Sequence, residues 1–334
     1  MSNKIKLFSH CDLDSIGAII CLSLLKKDFE YVQTKNPQDC SSKVKEFLES
    51  GEYVNYKEIL FSDISVNEEV AEMLNEVYKE GINVELYDHH KTALWLNKYK
   101  WATVEEKLKF SFGDLRLTCG SELFYALYFF PKTKNANLSY EMLESLDYII
   151  EGIRAYDTWD WFNEKRINKT ISELAYKLNT LYYYYFAEDF CNMLVDFIKN
   201  ADEDSLRLIP EEMQIVFEVL EKQKQGKIKQ ILKSVRYSED YLNGKKYKVA
   251  YVIAYDYASD LGSTILNQEE REVDIAVIWN PLHGAVSLRS KRPDVDVSSI
   301  AKSITDISGG HTNASGFTPN LDIFSLAIDK LFEA

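Results

Sequence analysis

Short apolar runs that end on polar residues recur in the first part of the chain. Runs at 5–9, 59–61 and 84–88 have the length and composition of buried strands, and acids or histidines follow each of them. Helices with one apolar face are predicted at 15–27 and 67–79, between these strands. Strands that alternate with helices build βαβ units, so the pattern predicts a mainly parallel sheet flanked by helices.

The rest of the chain predicts a helical middle and a second α/β region. The predicted elements are helices at 118–130 and 138–156, a charged helical segment at 201–238, strands at 247–253, 274–279 and 284–289, and a helix at 261–267. We therefore predict an N-terminal α/β domain at 1–195, a helical connector at 196–243 and a smaller C-terminal α/β domain at 244–334.

Five consecutive aromatic residues occupy 182–186. Such a run covers every side of a helix, so some rings must face another domain, a partner subunit or a ligand. Packing is favoured over base stacking, because aromatic residues of cores and interfaces are far more common.

The composition is that of an ordinary globular protein. With 334 residues, 46% of them hydrophobic, the chain is long enough to bury a core in each of about two domains. No apolar run approaches the ~20 residues of a membrane span, and acidic residues follow the N-terminus too soon for a secretory signal. We therefore expect a cytoplasmic protein. The five cysteines are scattered without a Cys-x-x-Cys pair, which favours reduced thiols.

The charge limits the class of partner. A net charge of −14 repels polyanions, so the chain is not expected to coat long duplex nucleic acid. Short oligonucleotides and small phosphorylated molecules remain compatible with this charge.

Candidate metal ligands follow the first two predicted strands. His10, Asp12 and Asp14 recur at every second position, so in an extended segment their side chains point the same way. Two carboxylates and an imidazole that converge repel and desolvate one another unless a cation compensates them. A polar strand-to-helix turn is the alternative interpretation. Asp63 also follows a strand, although an acid at such a place commonly caps the next helix.

The third predicted strand ends on Asp88, with His89 and His90 next, at the sheet edge where open α/β sheets bind ligands. A solvated loop with two histidines is the alternative. Asp157 lies among aromatic residues, which suggests a partly buried carboxylate that has to be paired or bound to a metal.

A glycine pair near the C-terminus predicts an anion site. Gly309 and Gly310 lack Cβ atoms, so backbone amides can approach an anion, and His311 adds a side-chain donor. A flexible turn is the alternative interpretation until the nearby cationic segment is considered. That segment contains Arg289, Ser290, Lys291 and Arg292.

In series these residues resemble the DHH/DHHA1 phosphoesterase superfamily, whose N-terminal motifs are His-x-Asp-x-Asp, a lone Asp, Asp-His-His and another Asp. The Gly-Gly-His segment resembles the DHHA1 signature, so the resemblance covers both predicted domains. Spacing and length resemble the oligoribonuclease (nanoRNase) and 3′-phosphoadenosine 5′-phosphate phosphatase branch rather than the longer RecJ exonucleases. Ser308 stands where the family often has a third glycine, and Ser315 where a second alanine is usual, which affects the shape of the anion pocket.

The resemblance implies two divalent cations and a role for each motif residue. His10 and Asp12 would bind one ion, Asp14, His89 and Asp157 the other, and Asp63 would bridge them. Asp88 would orient a ligand histidine, and His90 would contact the scissile phosphate or the leaving group. The substrate-binding residues would be Arg289, Ser290, Gly309, Gly310 and His311. Oxygen and nitrogen ligands suit Mn²⁺ or Mg²⁺, and the imidazoles favour Mn²⁺.

The expected function is hydrolysis of short oligonucleotides to mononucleotides. A phosphatase or diesterase of small nucleotides, such as 3′-phosphoadenosine 5′-phosphate or cyclic mono- and dinucleotides, is the alternative. A catalytically inactive nucleotide-binding relative is disfavoured, because the chain keeps every ligand. RNA or DNA preference, strand polarity and formation of a homodimer stay open.

Overall fold

The computed structural model describes residues 4–109, 115–162, 167–242, 244–305 and 308–319. Backbone contacts divide the chain into two compact units, Met1–Phe217 and Glu218–Ala334. The division into parts at 1–195, 196–243 and 244–334 stays a prediction, and the last part includes 320–334, which lie outside the described residues. Within the described ranges, no helix is long and apolar enough to cross a bilayer.

The first unit contains a five-stranded parallel sheet, as predicted. Its described strands are β1 (Ile5–His10), β2 (Phe29–Thr34), β3 (Glu58–Ser62), β4 (Asn83–Asp88) and β5 (Ala102–Val104), with β6 (Lys107–Lys109) and β7 (Leu115–Leu117) forming a separate antiparallel pair. The order in the sheet is β2-β1-β3-β4-β5, and all four pairings are parallel. The chain therefore reverses its direction of travel through the sheet between β1 and β3, which is where such sheets bind ligands.

Helices cover both faces of this sheet. They are α1 (Ile16–Leu24), α2 (Pro37–Glu49), α3 (Glu68–Lys79), α4 (Gly120–Leu123), α5 (Tyr140–Asp157), α6 (Lys169–Tyr182) and α7 (Ala187–Lys199), followed by α8 (Glu211–Leu232), which contains the division between the units. Side-chain caps define where several of them begin: Asn67 accepts a hydrogen bond from the Val70 amide at the start of α3, and Ser139 from the Met142 amide at the start of α5.

Alternate residues of the central strands enter two different cores. Leu7 and Leu60 pack with α1 and α4–α7, whereas Phe8, Ile59 and Phe61 pack with α2 and α3. All five side chains are at most 1% exposed. A strand that is buried on both faces is largely apolar, so an acid or histidine after its apolar run marks the carboxyl end of the strand.

Several elements differ from the sequence prediction. β2 and α2 were not predicted, because β2 is half-exposed and mixes polar with apolar residues. The predicted helix at 118–130 is α-helical only over α4 and then π-helical over Phe124–Phe129. The aromatic run at 182–186 does not lie on one helix: α6 ends at Tyr182, and the next residues connect it to α7 with exposed rings at Tyr183 and Phe186.

The second unit is built on a mixed sheet. Its described elements are β8 (Arg236–Leu242), β9 (Lys245–Ile253), α9 (Ala258–Leu266), β10 (Ile275–Asn280), β11 (Ala285–Arg289), α10 (Val297–Ile304), β12 (Ser308–His311) and β13 (Ala314–Phe317). The strand order is β12-β13-β11-β10-β9-β8, with β9 and β10 parallel and the other pairs antiparallel. The Gly-Gly-His segment is therefore a hairpin strand, and the second α/β region of the prediction is confirmed.

Candidate metal centre

The motifs of the first unit meet at the carboxyl edge of three adjacent strands. His10 is the last residue of β1, Asp63 follows β3 directly, and Asp88 is the last residue of β4. Because β1, β3 and β4 are parallel neighbours, their carboxyl ends lie side by side. The sheet order therefore explains why residues so far apart in sequence converge.

Three overlapping groups of potential ligands form at this edge. Within each group the donor atoms lie within 4.8 Å of one another. The groups are His10, Asp12 and Asp63, then Asp14, His89 and Asp157, then Asp63, His89 and His90. The structure thus brings together all the predicted ligands and His90, with Asp63 in two of the three groups.

Asp63 lies at the centre of the cluster. It is 1% exposed, and its φ of +60° is one that aspartate tolerates better than most residues. Its Oδ1 is 3.2 Å from His89 Nε2 and its Oδ2 is 3.7 Å from His10 Nδ1. Asp63 Oδ1 and His89 Nε2 are buried, and neither forms a hydrogen bond with any residue that the structure describes. The two carboxylate oxygens therefore face opposite halves of the cluster.

Burial and mutual repulsion shift the pKa values of the cluster. Burial, followed by the charges of Asp14 and Asp12, raises the pKa of Asp63 well above its usual value and that of Asp157 to about 8. Burial lowers the pKa of His89, whereas a 2.5 Å hydrogen bond with Asp12 raises that of His10. Burial and mutual repulsion therefore disfavour the charged forms of the carboxylates that the cluster brings together.

Asp88 organises the turn that follows β4. It is fully buried, and its Oδ1 accepts hydrogen bonds from the His89 amide over 2.8 Å, the His90 amide over 3.2 Å and His90 Nδ1 over 2.7 Å. This last bond raises the pKa of His90 to about 9. The ring that Asp88 orients directly is thus that of His90, whose side chain is 52% exposed.

The start of α4 holds Asp14 and was missed by the sequence analysis. Asp14 accepts from the Gly120 amide over 2.6 Å and from the Ser121 amide over 2.9 Å, and Ser121 also donates to the Asp14 carbonyl. A Cβ on Gly120 would lie 2.5 Å from Asp63 Cβ and 2.6 Å from its Cα. The Thr-Cys-Gly-Ser run before an apolar stretch was the available signal, although it also fits an ordinary helix start.

The predicted substrate-binding residues belong to the second unit. Arg289 pairs in register with Ala314 of β13, which in turn pairs with His311, so all three lie at one level of the sheet. Arg289 Nη2 lies 3.3 Å from Ser259 Oγ, near the start of α9. The Ser290 hydroxyl is buried and donates to the Asp274 carbonyl over 2.7 Å.

Gly309, Gly310 and His311 are exposed on β12. Gly310 has φ +137°, and a Cβ there would lie 2.4 Å from the Ala314 carbonyl oxygen, so only glycine fits this position. Arg292, in contrast, is held by Asp274 and Asp294 at 2.6 Å each.

The first-unit cluster fits divalent cations. Its donors are carboxylate oxygens and imidazole nitrogens, which is the ligand set of Mg²⁺ or Mn²⁺ sites. Two buried atoms without hydrogen bonds to described residues, Asp63 Oδ1 and His89 Nε2, are ligand atoms that would gain a partner if a cation were bound. Neutralisation by bound cations also removes the repulsion that burial would otherwise make costly.

The chain is similar in sequence to a known oligoribonuclease. No family model matches the chain. The chain is 30% identical over 334 residues to oligoribonuclease NrnB of Bacillus subtilis (strain 168), covering 98% of this chain and 75% of that protein.

Among solved structures, RecJ of Thermus thermophilus in complex with Mn²⁺ shares the fold at 13% identity and a TM-score of 0.50. The match covers 98% of this chain and 51% of RecJ. The pGpG-specific phosphodiesterase PggH from Vibrio matches at 12% identity and a TM-score of 0.44, over 98% of this chain and 97% of that one.

Proposed function

Because the chain belongs to the DHH/DHHA1 phosphoesterase superfamily, in its oligoribonuclease branch, we propose that it hydrolyses short oligonucleotides to mononucleotides with two divalent cations. The observation that carries this proposal is the complete donor set at the edge of β1, β3 and β4, with Asp63 shared between two groups. The relative that matches nearly the whole chain is an oligoribonuclease, which supports short oligonucleotides as the substrate class. Mn²⁺ is the proposed metal, because imidazole ligands favour it over Mg²⁺.

In the proposed reaction, the oxygen of a water molecule forms a bond with phosphorus and the bond from phosphorus to the leaving oxygen breaks. His10 and Asp12 would hold one cation, Asp14, His89 and Asp157 the other, and Asp63 would contact both. A bound pair of cations supplies a water of lowered pKa and neutralises charge on the reacting phosphate. The hydrogen bonds of Gly120 and Ser121 keep Asp14 in place for this purpose.

His90 would act on the phosphate rather than on a cation. Its Nδ1 is bound to Asp88, which leaves Nε2 for the substrate on a half-exposed ring. A protonated ring donates a hydrogen bond to a phosphate oxygen or to the leaving oxygen, which receives a proton as the bond breaks. Asp88 therefore positions the His90 ring and stabilises its protonated form.

The substrate class is tested by product analysis with Mn²⁺ present. We expect mononucleotides to be released from a labelled trinucleotide faster than from a long single strand, with only a modest effect of salt. Extra phosphates of a long strand would lie along a protein of net charge −14, which gains little from counterion release. 3′-Phosphoadenosine 5′-phosphate is assayed in parallel. Processive digestion of the long strand, or activity on 3′-phosphoadenosine 5′-phosphate alone, would contradict the proposal.

We propose that Arg289 binds a second phosphate of the oligonucleotide. Its guanidinium is half-buried and lies beside Ser259, so Arg289→Ala should raise KM for the trinucleotide by about 10- to 100-fold, as expected for a lost charged hydrogen bond. A small activated diester without a second phosphate should be hydrolysed as before. Lys302→Ala is the matched control, since it removes an exposed positive charge from α10 of the same unit. Equal losses on both substrates would place Arg289 in the chemical step instead.

A further inference from the structure

A tryptophan with an unusual backbone conformation follows the helix that carries Asp157. Trp159 has φ +60°, in the left-handed region that favours glycine and asparagine. Its amide donates to the Tyr156 carbonyl over 3.1 Å, and its own carbonyl accepts from the Phe162 amide over 3.3 Å. A bulky residue in this conformation is strained, and such strain persists only where the surrounding structure imposes it.

A buried arginine fixes the turn on both sides of Trp159. Arg154 is 2% exposed, and its Nη1 lies 2.8 Å from Asp160 Oδ2 and 3.3 Å from Thr158 Oγ1. Asp160 is itself buried, so the ion pair holds the residues before and after the strained position. Because glycine would form the same turn without strain, the turn itself does not require tryptophan.

The Trp159 ring ends a row of stacked rings and is exposed. Its side chain is 69% exposed, and its ring centroid is 6.3 Å from that of Trp161 at an interplanar angle of 28°. Trp161 in turn stacks on Tyr156 at 5.5 Å and on Tyr176 at 5.8 Å. The indole is therefore supported from one side by a rigid stack and presents most of its surface to solvent.

The backbone that carries this exposed indole is close to the metal centre. Asp157 and Trp159 are two residues apart, so their Cα atoms are at most about 7.6 Å from each other. A nucleotide whose phosphate lies at the ligand cluster has its base one sugar away, within reach of a side chain of this size. An exposed, preordered aromatic ring at that place is a stacking surface for any of the bases.

We propose that Trp159 is the stacking platform for a nucleobase next to the scissile phosphate. This inference rests on the proposed oligonucleotide hydrolysis and specifies how that site binds its substrate. Stacking uses the π-face that every base has, so the platform holds a nucleotide without selecting its sequence. The rigid support by Trp161 means that little conformational entropy is lost when a base binds.

The test uses the full-length enzyme with Mn²⁺, three variants and four substrates. Trp159→Gly removes the ring and also the backbone strain, whereas Trp159→Phe keeps a smaller ring. Tyr140→Ala is the control, because Tyr140 is 66% exposed at the first residue of the same helix, about 25 Å from Asp157 at 1.5 Å per residue. The substrates are a trinucleotide and three counterparts that each lack one base.

In the wild type, one of the three abasic counterparts should have a kcat/KM about 5- to 150-fold below that of the full trinucleotide, the range expected for one stacked base. The kcat/KM of Trp159→Gly for the full trinucleotide should be lower than that of the wild type by a similar factor. Removal of the same base should cause no further decrease in this variant. The melting temperature of Trp159→Gly should equal or exceed that of the wild type. Trp159→Phe should recover part of the loss, and Tyr140→Ala should behave as the wild type.

Full activity of Trp159→Gly on the trinucleotide would overturn the assignment. The assignment would also be overturned if removal of the base lowered kcat/KM by the same factor in Trp159→Gly as in the wild type. Equal loss on all four substrates with a lower melting temperature would make Trp159 a structural residue, which also overturns it. A wild type that fails to cleave the trinucleotide would instead refute the proposed function, and the wild-type assay detects this without any variant.

Discussion

Asp63→Asn is expected to abolish turnover of the trinucleotide and, without added metal, to raise the melting temperature. Asp63 is the carboxylate shared by the group with His10 and the group with His89. Its substitution should therefore lower activity by more than the loss of about 10- to 100-fold that follows when a residue that only orients ligands is replaced. Asparagine keeps the shape and tolerates φ +60°, which alanine does not. Because burial and the neighbouring acids raise the pKa of Asp63, folding without metal has to keep this carboxyl protonated, and asparagine avoids that cost in free energy of unfolding. A gain of about 1 kcal/mol would correspond to about 2 to 4 °C.

The melting temperature with Mn²⁺ separates metal binding from folding. Mn²⁺ should raise the melting temperature of the wild type, by an amount that grows with the logarithm of its affinity, and raise that of Asp63→Asn much less. Asp204→Asn, at an exposed position of the same unit, should match the wild type in activity and in its response to Mn²⁺. Near wild-type turnover by Asp63→Asn would refute the assignment of Asp63 as a shared ligand, whatever its melting temperature.

The ligands were predictable because the strands that carry them are buried on both faces. β3 has no exposed residue and β1 is largely buried, so their apolar runs are unambiguous and the first acid or histidine after each marks the carboxyl edge. Parallel pairing then brings those edges together without any information on loops. The strands therefore placed His10, Asp63 and Asp88 at one edge of the sheet, whereas the assignment of ligands to two cations came from the resemblance to the family.

The support of the cluster could not be predicted in the same way. Gly120 and Ser121 contact Asp14 across more than a hundred residues, and neither residue type signals such a contact by itself. Their hydrogen bonds come from backbone amides, which every sequence has. Similarly, the position of Trp159 depends on a left-handed turn that the buried Arg154 imposes, and no periodicity encodes it. Local patterns predict elements, whereas long-range backbone contacts decide how precisely a site is held.

The exposed edge strand shows another limit of periodicity. β2 lies at the edge of the sheet, and most of its residues are only partly buried, so polar and apolar residues are interspersed. α2 begins with Asn36 as cap and Pro37 in the first turn, which is a recognisable start, but its first turns are polar. β2 pairs with β1 as far as His10, but no predicted ligand lies on β2 or α2, so missing these elements did not affect the predicted site.

Gly120→Ala is expected to reduce kcat for the trinucleotide by at least about 100-fold. The added Cβ would lie 2.5 to 2.7 Å from Asp63 Cβ, Cα and N, and backbone atoms cannot rotate away as a flexible side chain can. Either Asp63 or the start of α4 must therefore move, and α4 also holds Asp14 through the Gly120 and Ser121 amides. Displacement of two ligands by a few tenths of an ångström or more disrupts a preorganised site. Overpacking should also cost about 1 to 3 kcal/mol of stability.

Gly226→Ala is the matched control for this substitution. Gly226 lies inside α8, where an added Cβ would meet nothing within 4 Å, so alanine should stabilise the protein by up to about 1 kcal/mol and leave activity unchanged. Circular dichroism and melting curves measure folding of both variants, and Mn²⁺ titration measures ligand geometry. A folded Gly120→Ala that binds Mn²⁺ and turns over as the wild type does would show that α4 does not hold the ligands. A folded variant with weakened Mn²⁺ binding is the expected result, because the contact of Gly120 with Asp63 and Asp14 couples helix packing to the metal centre.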